Sequence, residues 1–113
     1  MTTQFTTNGV NVNGTSLQGY ITCSYDTLVE VFGEPNGSGD GYKVQAEWLG
    51  KSGDTVFTIY DWKEHQDIYD VTDWHIGGTG HSAVEVVHNI VRERLGDTAK
   101  YAVRFDQLRW YWA

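Results

Sequence analysis

The chain has 113 residues, of which 40% are hydrophobic and 14% aromatic, and a formal net charge of −7 at pH 7. This size predicts one domain over residues 1–113 with a single hydrophobic core. The acidic balance argues against nonspecific binding to nucleic acid, because such binding needs several cationic side chains on the phosphates, and the single cysteine, Cys23, excludes an intrachain disulfide.

The N-terminal segment, residues 1–16, is expected to form a hairpin or a flexible arm. It contains Asn8-Gly9 and Asn13-Gly14, the dipeptides that tight hairpin turns prefer. The first 23 residues are rich in Thr, Asn and Gly.

One helix and three strands follow the arm. Ser24 can cap a helix over residues 25–32, which the glycine directly after it ends. Apolar and polar residues alternate over 42–48, which predicts a strand with one buried face. The segment 55–62 is apolar or aromatic on both faces and is expected to be a central strand, and 71–76 predicts a third strand.

A glycine-rich loop and a second helix come next. The loop Gly77-Gly78-Thr79-Gly80 precedes apolar residues at helical spacing over 83–95. Ser82 and Glu85 are placed to form a capping box, and Gly96 can end the helix. These local signals predict a well-formed helix.

The C-terminal segment, residues 101–112, has the β-branched and aromatic content of a last strand. Residues 92–113 are also the basic part of the chain, with five basic and three acidic side chains. A large exposed apolar patch normally marks an interaction site, so we expect a homo-oligomer whose interface includes Trp110, Tyr111 and Trp112. Together, these elements predict an α+β fold, an antiparallel sheet of about five strands with two helices packed on one face.

The glycine-rich loop is the strongest candidate for a ligand site. Backbone N–H groups in such a loop and at a helix start favour an anion. Trp62 or Trp74 would stack on the ligand, and Arg104 or Arg109 would pair with its charge. The alternative interpretation is a tight turn in which the glycines allow positive φ and close packing. The predicted ligand-binding residues are Trp62, Trp74, His75, Gly77, Gly78, Thr79, Gly80, His81, Ser82, Arg104 and Arg109.

The sequence gives weaker evidence for a metal site or a catalytic nucleophile. The four histidines lack the close pairs that zinc sites use, and Cys23 has no local activating signature, so we expect neither a metal nor another cofactor. The acidic side chains between residues 61 and 73 predict a solvated face, a cation site or a surface that imitates nucleic acid.

We expect a cytoplasmic protein without membrane association. No apolar run approaches the roughly 20 residues that a membrane span needs. No N-terminal segment has the features of a signal peptide. The lone cysteine fits a reducing compartment.

Five segments between residues 14 and 91 carry a resemblance to a known family. They are Gly14 to Tyr20, Tyr25 to Pro35, Glu47-Trp48, Thr58 to Lys63 and Trp74 to Gly78. They resemble a family of small tailed-phage proteins of unassigned role. The resemblance implies an accessory protein of the host cytoplasm, often one that disarms host immunity, and it carries no catalytic residues across. The helix ending in Phe-Gly-x-Pro before a hairpin is also similar to units of β-lactamase-inhibitor-like and outer-membrane-assembly lipoproteins, which are exported.

We therefore expect a protein that works by binding and not by catalysis. The first hypothesis is sequestration of an anionic nucleotide immune signal, cyclic forms included. The alternative is an anti-CRISPR-like inhibitor that blocks a host defence effector by protein contact or by imitating nucleic acid. A third hypothesis, a small phosphodiesterase that uses His75 or His81 with the acidic cluster, lacks a complete motif. The expected partners are a small anionic nucleotide or a host defence protein.

Overall fold

The computed structural model describes residues 3–37 and 43–106. The elements, in chain order, are β1 (Ser16–Thr22), α1 (Tyr25–Phe32), β2 (Glu47–Ser52), β3 (Thr55–Tyr60), a 3-10 turn (Ile68–Asp70), β4 (Asp73–Gly78), α2 (Ser82–Leu95) and β5 (Ala102–Phe105). The strands form one five-stranded antiparallel sheet in the order β2-β3-β4-β1-β5. The predicted α+β fold is confirmed, and β3 is a central strand as expected.

The hydrophobic core lies between the helices and one face of the sheet. Alternate residues of the strands point into it, and both helices contribute apolar side chains. Trp48 and Trp74 meet edge to face with their ring centroids 5.5 Å apart. Their indole N–H groups donate to the backbone oxygens of Gly33 and Cys23 at 2.8 and 2.9 Å, so these buried polar groups are satisfied. Core residues on the strands are Ile21, Trp48, Phe57, Ile59, Trp74 and Ile76.

The first helix forms where the sequence predicts it. The Ser24 hydroxyl accepts a hydrogen bond from the Thr27 N–H at 3.1 Å and caps the first turn. Gly33 ends the helix with φ of 87°, a conformation that glycine adopts without steric cost. Leu28, Val31 and Phe32 are its buried residues, so the helix is anchored on the core through its last turn.

The N-terminal segment is an ordered arm that lies along the outer edge of β2. Thr6 and Lys51 exchange two backbone hydrogen bonds of 2.8 and 2.9 Å. The Phe5 ring packs edge-on against Phe32 and Phe57. The arm then turns at residues 12–15, where Gly14 has φ of 82° and a backbone hydrogen bond closes the turn. The arm therefore covers part of an otherwise unpaired strand edge.

Gly77 and Gly78 lie in β4 and not in a loop. Both pair with β1 and β3, and neither has positive φ. They are required for close packing: a Cβ on Gly77 would overlap the Thr58 hydroxyl oxygen, and one on Gly78 would overlap the Ala83 Cβ. The expected glycine loop is therefore wrong for these two residues, and the close-packing interpretation holds without the positive φ.

The start of α2 also differs from the prediction. Ser82 is the first helical residue, and the capping position belongs to His81, whose side chain makes no capping hydrogen bond. The expected capping box of Ser82 with Glu85 is therefore wrong. The Ala83 and Val84 N–H groups bond instead to the carbonyl oxygens of Gly80 and His81, at 3.2 and 3.0 Å.

The end of the chain is described as far as residue 106. There β5 pairs with β1 at the edge of the sheet, which confirms a strand after residue 101. Arg109, Trp110, Tyr111 and Trp112 lie outside the described residues, so the interface expected there stays a prediction. Within the described residues, no helix combines the length and apolar character needed to cross a membrane.

Substitution at two neighbouring glycines tests this account of β4. Gly78→Ala is expected to lower the free energy of unfolding by about 1–3 kcal/mol, because its methyl group must displace Ala83 in a packed core. Gly80→Ala is the matched control: nothing lies within 4 Å of its added Cβ, and its φ is not positive. Urea denaturation measures both changes. An equal loss at the two positions would contradict the packing role of Gly78.

Candidate functional site

One residue from each strand forms a row across the sheet. In the strand register, Glu47 of β2 lies opposite Tyr60 of β3, which lies opposite His75 of β4. His75 lies opposite Tyr20 of β1, which lies opposite Arg104 of β5. We call these five residues the open-face row. The carboxylate of Glu47 lies at one end of the row and the guanidinium of Arg104 at the other. Three aromatic rings lie between them.

The open-face row lies on the side of the sheet away from α1 and α2. Successive residues of a strand point to opposite faces. Ile21, Ile59 and Trp74, which neighbour row residues in sequence, are fully buried in the core. The row residues therefore point the other way, away from the core that the helices cover.

His75 is the centre of an aromatic cluster on this face. Its ring meets those of Tyr20 and Tyr60 edge to face, with centroids 5.2 and 5.3 Å apart. The Trp62 ring stacks on His75 at 6.4 Å with 28° between the planes. Trp62 is 41% exposed and extends the cluster toward solvent. The four rings form a continuous apolar surface with accessible faces.

Three cationic side chains adjoin these rings. The Arg104 guanidinium lies 4.6 Å from the centre of the Tyr20 ring, and it donates to the Thr22 hydroxyl at 3.1 Å. The ammonium groups of Lys43 and Lys63 lie 5.7 and 5.6 Å from the Trp62 ring centre. Both distances are within the range of cation–π attraction. Three cations thus adjoin the rings, and two carboxylates, those of Glu47 and Asp73, lie on the same face.

A cleft opens at the β2 and β3 end of the open-face row. Its volume is about 230 Å³. The N-terminal arm contributes Val12 and Thr15 to its lining, and the Thr58 hydroxyl packs against Gly77 within it. The cleft is lined by Val12, Thr15, Ser16, Val44, Glu47, Thr58, Tyr60, Trp62 and Gly77. Pockets that enclose drug-sized ligands hold about 300–1,000 Å³, so this cleft can take only one ring system.

His75 and Tyr60, at the centre of the row, are uncharged at neutral pH. Burial lowers the pKa of His75 below 6.5, and the Arg104 guanidinium lowers it further, while nearby carboxylates oppose the shift. Burial raises the pKa of Tyr60 above 10.0, and the charge of Glu47 adds to the rise. His75 and Tyr60 therefore offer ring faces and hydrogen-bonding groups, and the charge lies at the ends of the row.

The structure brings together four of the predicted ligand-binding residues. Trp62, His75 and Arg104 belong to the open face, and Gly77 forms part of its cleft. Trp74 is fully buried, and its indole N–H donates to the Cys23 carbonyl. The expectation that Trp74 stacks on a ligand is therefore wrong, because no face of its ring is accessible.

The start of α2 is separate from the open face. The helix packs over the opposite side of the sheet, where Gly78 is buried against Ala83. His81 contacts the Phe105 ring, with centroids 5.7 Å apart. Predicted site residues at this second location are Gly78, Thr79, Gly80, His81 and Ser82. Of these, Gly78 packs against α2 on the face opposite the open-face row.

Cys23 and Asp61 have structural roles. Burial raises the pKa of the Cys23 thiol to about 12, which leaves it protonated and unreactive at neutral pH. Asp61 is fully buried and accepts hydrogen bonds from the N–H groups of Gln45 and Ala46 at 2.8 and 3.0 Å. Asp73 instead accepts from Thr22 on the open face. In residues 3–37 and 43–106, no group of three or more His, Cys, Asp and Glu side chains could hold a metal ion.

Glu47, Tyr20 and Tyr60 were not among the predicted site residues. The signal for them was strand alternation: Trp48, Ile21 and Ile59 are core-type residues, so their neighbours must face away. Alternation alone does not show that the three residues align. That alignment depends on the register between strands, which the local sequence does not encode.

Comparison with known proteins identifies no relative of this chain. No family model, curated protein or solved structure matches it. The resemblance to tailed-phage proteins stays a prediction, and function must be inferred from the open face itself.

The lowered pKa of His75 predicts a pH-dependent stability. The unfolded chain takes up a proton on this imidazole near its ordinary pKa of 6.5, before the folded protein does. The stability that the neutral His75 side chain contributes is therefore fully present above pH 6.5 and is lost as the pH falls below that value. Between about pH 7.5 and pH 5.5, the free energy of unfolding is expected to fall less in His75→Gln than in the unsubstituted protein. Urea denaturation measures this difference.

The exposed His88 on α2 provides the matched control. His88→Gln is expected to keep the pH dependence of the unsubstituted protein. An unchanged pH dependence in His75→Gln would show that burial does not disfavour the charged imidazole.

Proposed function

We propose that this protein binds a small nucleotide on the open face of the sheet and does not transform it. The observation that carries the proposal is the row of three rings, Tyr20, His75 and Tyr60, with Trp62 stacked on His75 and the guanidinium of Arg104 at one end. A base has a π-face that stacks on aromatic side chains, and each such stack contributes about 1–3 kcal/mol. Guanidinium groups pair with phosphate through two parallel hydrogen bonds.

The order of groups along the open-face row suggests how the nucleotide lies. The cleft is at the β2 and β3 end, and Arg104 is on β5 at the other end. Four strand spacings of about 4.8 Å separate Glu47 from Arg104, or about 19 Å between backbones. We expect the base to enter the cleft beside Trp62 and the phosphates to extend across the strands toward Arg104.

The charge distribution favours a nucleotide over a nucleic acid. Polynucleotide binding gains most of its free energy when many cationic groups displace counterions from the phosphates. Three cations adjoin the rings here, and the chain as a whole carries −7. Local attraction can hold one or a few phosphates, while the overall charge repels a long backbone.

The groups on the open face support binding without catalysis. General acid–base catalysis needs a titratable group positioned and activated by a partner. None of the described hydrogen bonds joins His75 to a carboxylate, and its contacts are with the faces and edges of rings. Cys23, the one thiol, is buried on the other side of the sheet.

The resemblance to tailed-phage accessory proteins suggests a role for such binding. A phage-encoded protein that holds a nucleotide would sequester a linear or cyclic nucleotide signal of host immunity. Sequestration needs a tight site and no chemistry, and a stacked, charge-paired site meets that need. Within this proposal the protein acts in the host cytoplasm.

Calorimetry with a panel of linear and cyclic nucleotides tests the proposal. Binding to the unsubstituted protein is expected, and Trp62→Ala should weaken it about 5-fold to 150-fold through the lost stack. Arg104→Ala should weaken the binding of each nucleotide, and the loss of affinity should be larger for nucleotides with more phosphate charge. The matched control is Tyr69→Ala, which removes an aromatic ring that is 65% exposed and outside the row. No heat with any nucleotide, or equal binding by Trp62→Ala, would contradict the proposal.

A second candidate function, inhibition of a host defence effector by contact, is favoured by Tyr69. Its exposed ring stands beside Asp67 and Asp70 in the 3-10 turn and packs on Tyr25 of α1. An exposed aromatic ring among carboxylates suits a basic protein surface.

Phage plating separates the two functions. The protein and its variants are expressed in bacteria defended by a nucleotide-signalling system or by a CRISPR nuclease. Under the first function, protection of phage from the signalling system is lost with Trp62→Ala and kept with Tyr69→Ala. The reverse pattern against the nuclease would support contact inhibition instead.

A further inference from the structure

We infer that the cleft selects guanine among the bases and that Glu47 is the residue that recognises it. This inference rests on the proposed nucleotide binding. Glu47 lines the cleft from β2, opposite Tyr60 in the sheet. Its side chain is half-buried, and none of the described hydrogen bonds or ion pairs engages its carboxylate. A carboxylate without these bonds can accept hydrogen bonds from a ligand.

The backbone around Glu47 is held in place by the loop before it. The Gly37 N–H donates to the Glu47 carbonyl at 2.8 Å. A Cβ on Gly37 would overlap the Glu47 side chain, so the loop backbone packs directly against it. The Asn36 side chain bonds to both the N–H and the carbonyl of Leu49, at 2.7 and 3.0 Å. Glu47 Oε1 is the atom nearest to the position of a Cβ on Gly37, so the carboxylate is confined on that side, and the Glu47 residue also lines the cleft.

Hydrogen-bonding chemistry decides which base this carboxylate prefers. An ionised carboxylate accepts hydrogen bonds and donates none. Guanine alone presents two adjacent donors on its Watson–Crick edge, N1–H and the N2 amino group, which match two carboxylate oxygens. Adenine and cytosine each place an acceptor beside one amino group, and uracil places its one N–H between two carbonyls. Those acceptors would face the carboxylate and repel it.

The surroundings of Glu47 agree with a base in this position. Tyr60 and Trp62 supply apolar ring surface beside the carboxylate. The cleft volume of about 230 Å³ admits one ring system and leaves the sugar and phosphates outside. They would then point away from Glu47, whose charge repels phosphate, and toward Arg104 at the far end of the row.

Equilibrium binding of GMP, IMP and AMP tests this inference. IMP keeps the N1–H of guanine but lacks the 2-amino group, and AMP has neither donor. The unsubstituted protein is expected to bind GMP at least about tenfold more tightly than AMP, with IMP between them, because a paired base contact discriminates by about 1–3 kcal/mol. Glu47→Gln should remove most of the preference for GMP. Glu30→Gln, an exposed position on α1, is the matched control and should keep it.

The outcomes separate this inference from the function on which it rests. Binding of none of the nucleotides would overturn both. Binding of all three with equal affinity, or an unchanged GMP preference in Glu47→Gln, would overturn guanine selection and leave nucleotide binding intact. If circular dichroism shows that Glu47→Gln does not fold, the relative affinities of the unsubstituted protein for GMP, IMP and AMP test guanine selection on their own.

Discussion

The antiparallel register of β3, β4 and β1 is the constraint on which the rest of the structure depends. Because side chains alternate along a strand, a shift of one residue would exchange the buried and exposed sets. Ile59, Ile76 and Ile21 enter the core in the observed register. Their burial leaves Tyr60, His75 and Tyr20 aligned on the other face. The open-face row is thus a direct consequence of how the core is filled.

Close packing at two glycines maintains this arrangement. Gly78 lets α2 approach β4, and Gly77 lets the Thr58 side chain lie against the strand on the open face. A side chain at either position would push apart groups that now touch. The same pair of residues therefore brings the helix close to the sheet on one side and lets Thr58 pack against β4 on the other.

Local signals were sufficient to predict much of the fold. The cap at Ser24 and the stop at Gly33 define α1 within a few residues, so its bounds follow from the sequence. The role of Gly77 and Gly78 did not follow, because a glycine required for close packing looks the same in sequence as one required for a turn. Trp74 was misassigned for a related reason: an indole can fill a core or a binding surface, and only its neighbours in space decide which.

The candidate site was predictable only in part. Trp62, His75 and Arg104 were identified as aromatic or cationic residues suited to an anionic ligand, but their common location depends on strand pairing across distant parts of the chain. The same strand pairing is what brings Glu47, Tyr20 and Tyr60 onto this surface. Residues with distinctive chemistry can be recognised singly, whereas a surface built from one residue of each strand requires the register.

Backbone and indole N–H spectra recorded by NMR during a titration with GMP test the central claim most directly. Binding on the open face predicts the largest shifts at Tyr20, Tyr60, His75 and Arg104, together with the Trp62 indole. Shifts confined to residues 79–82 at the start of α2 would place the ligand on the opposite side of the sheet and contradict the account. An unchanged spectrum at saturating nucleotide would contradict it as well.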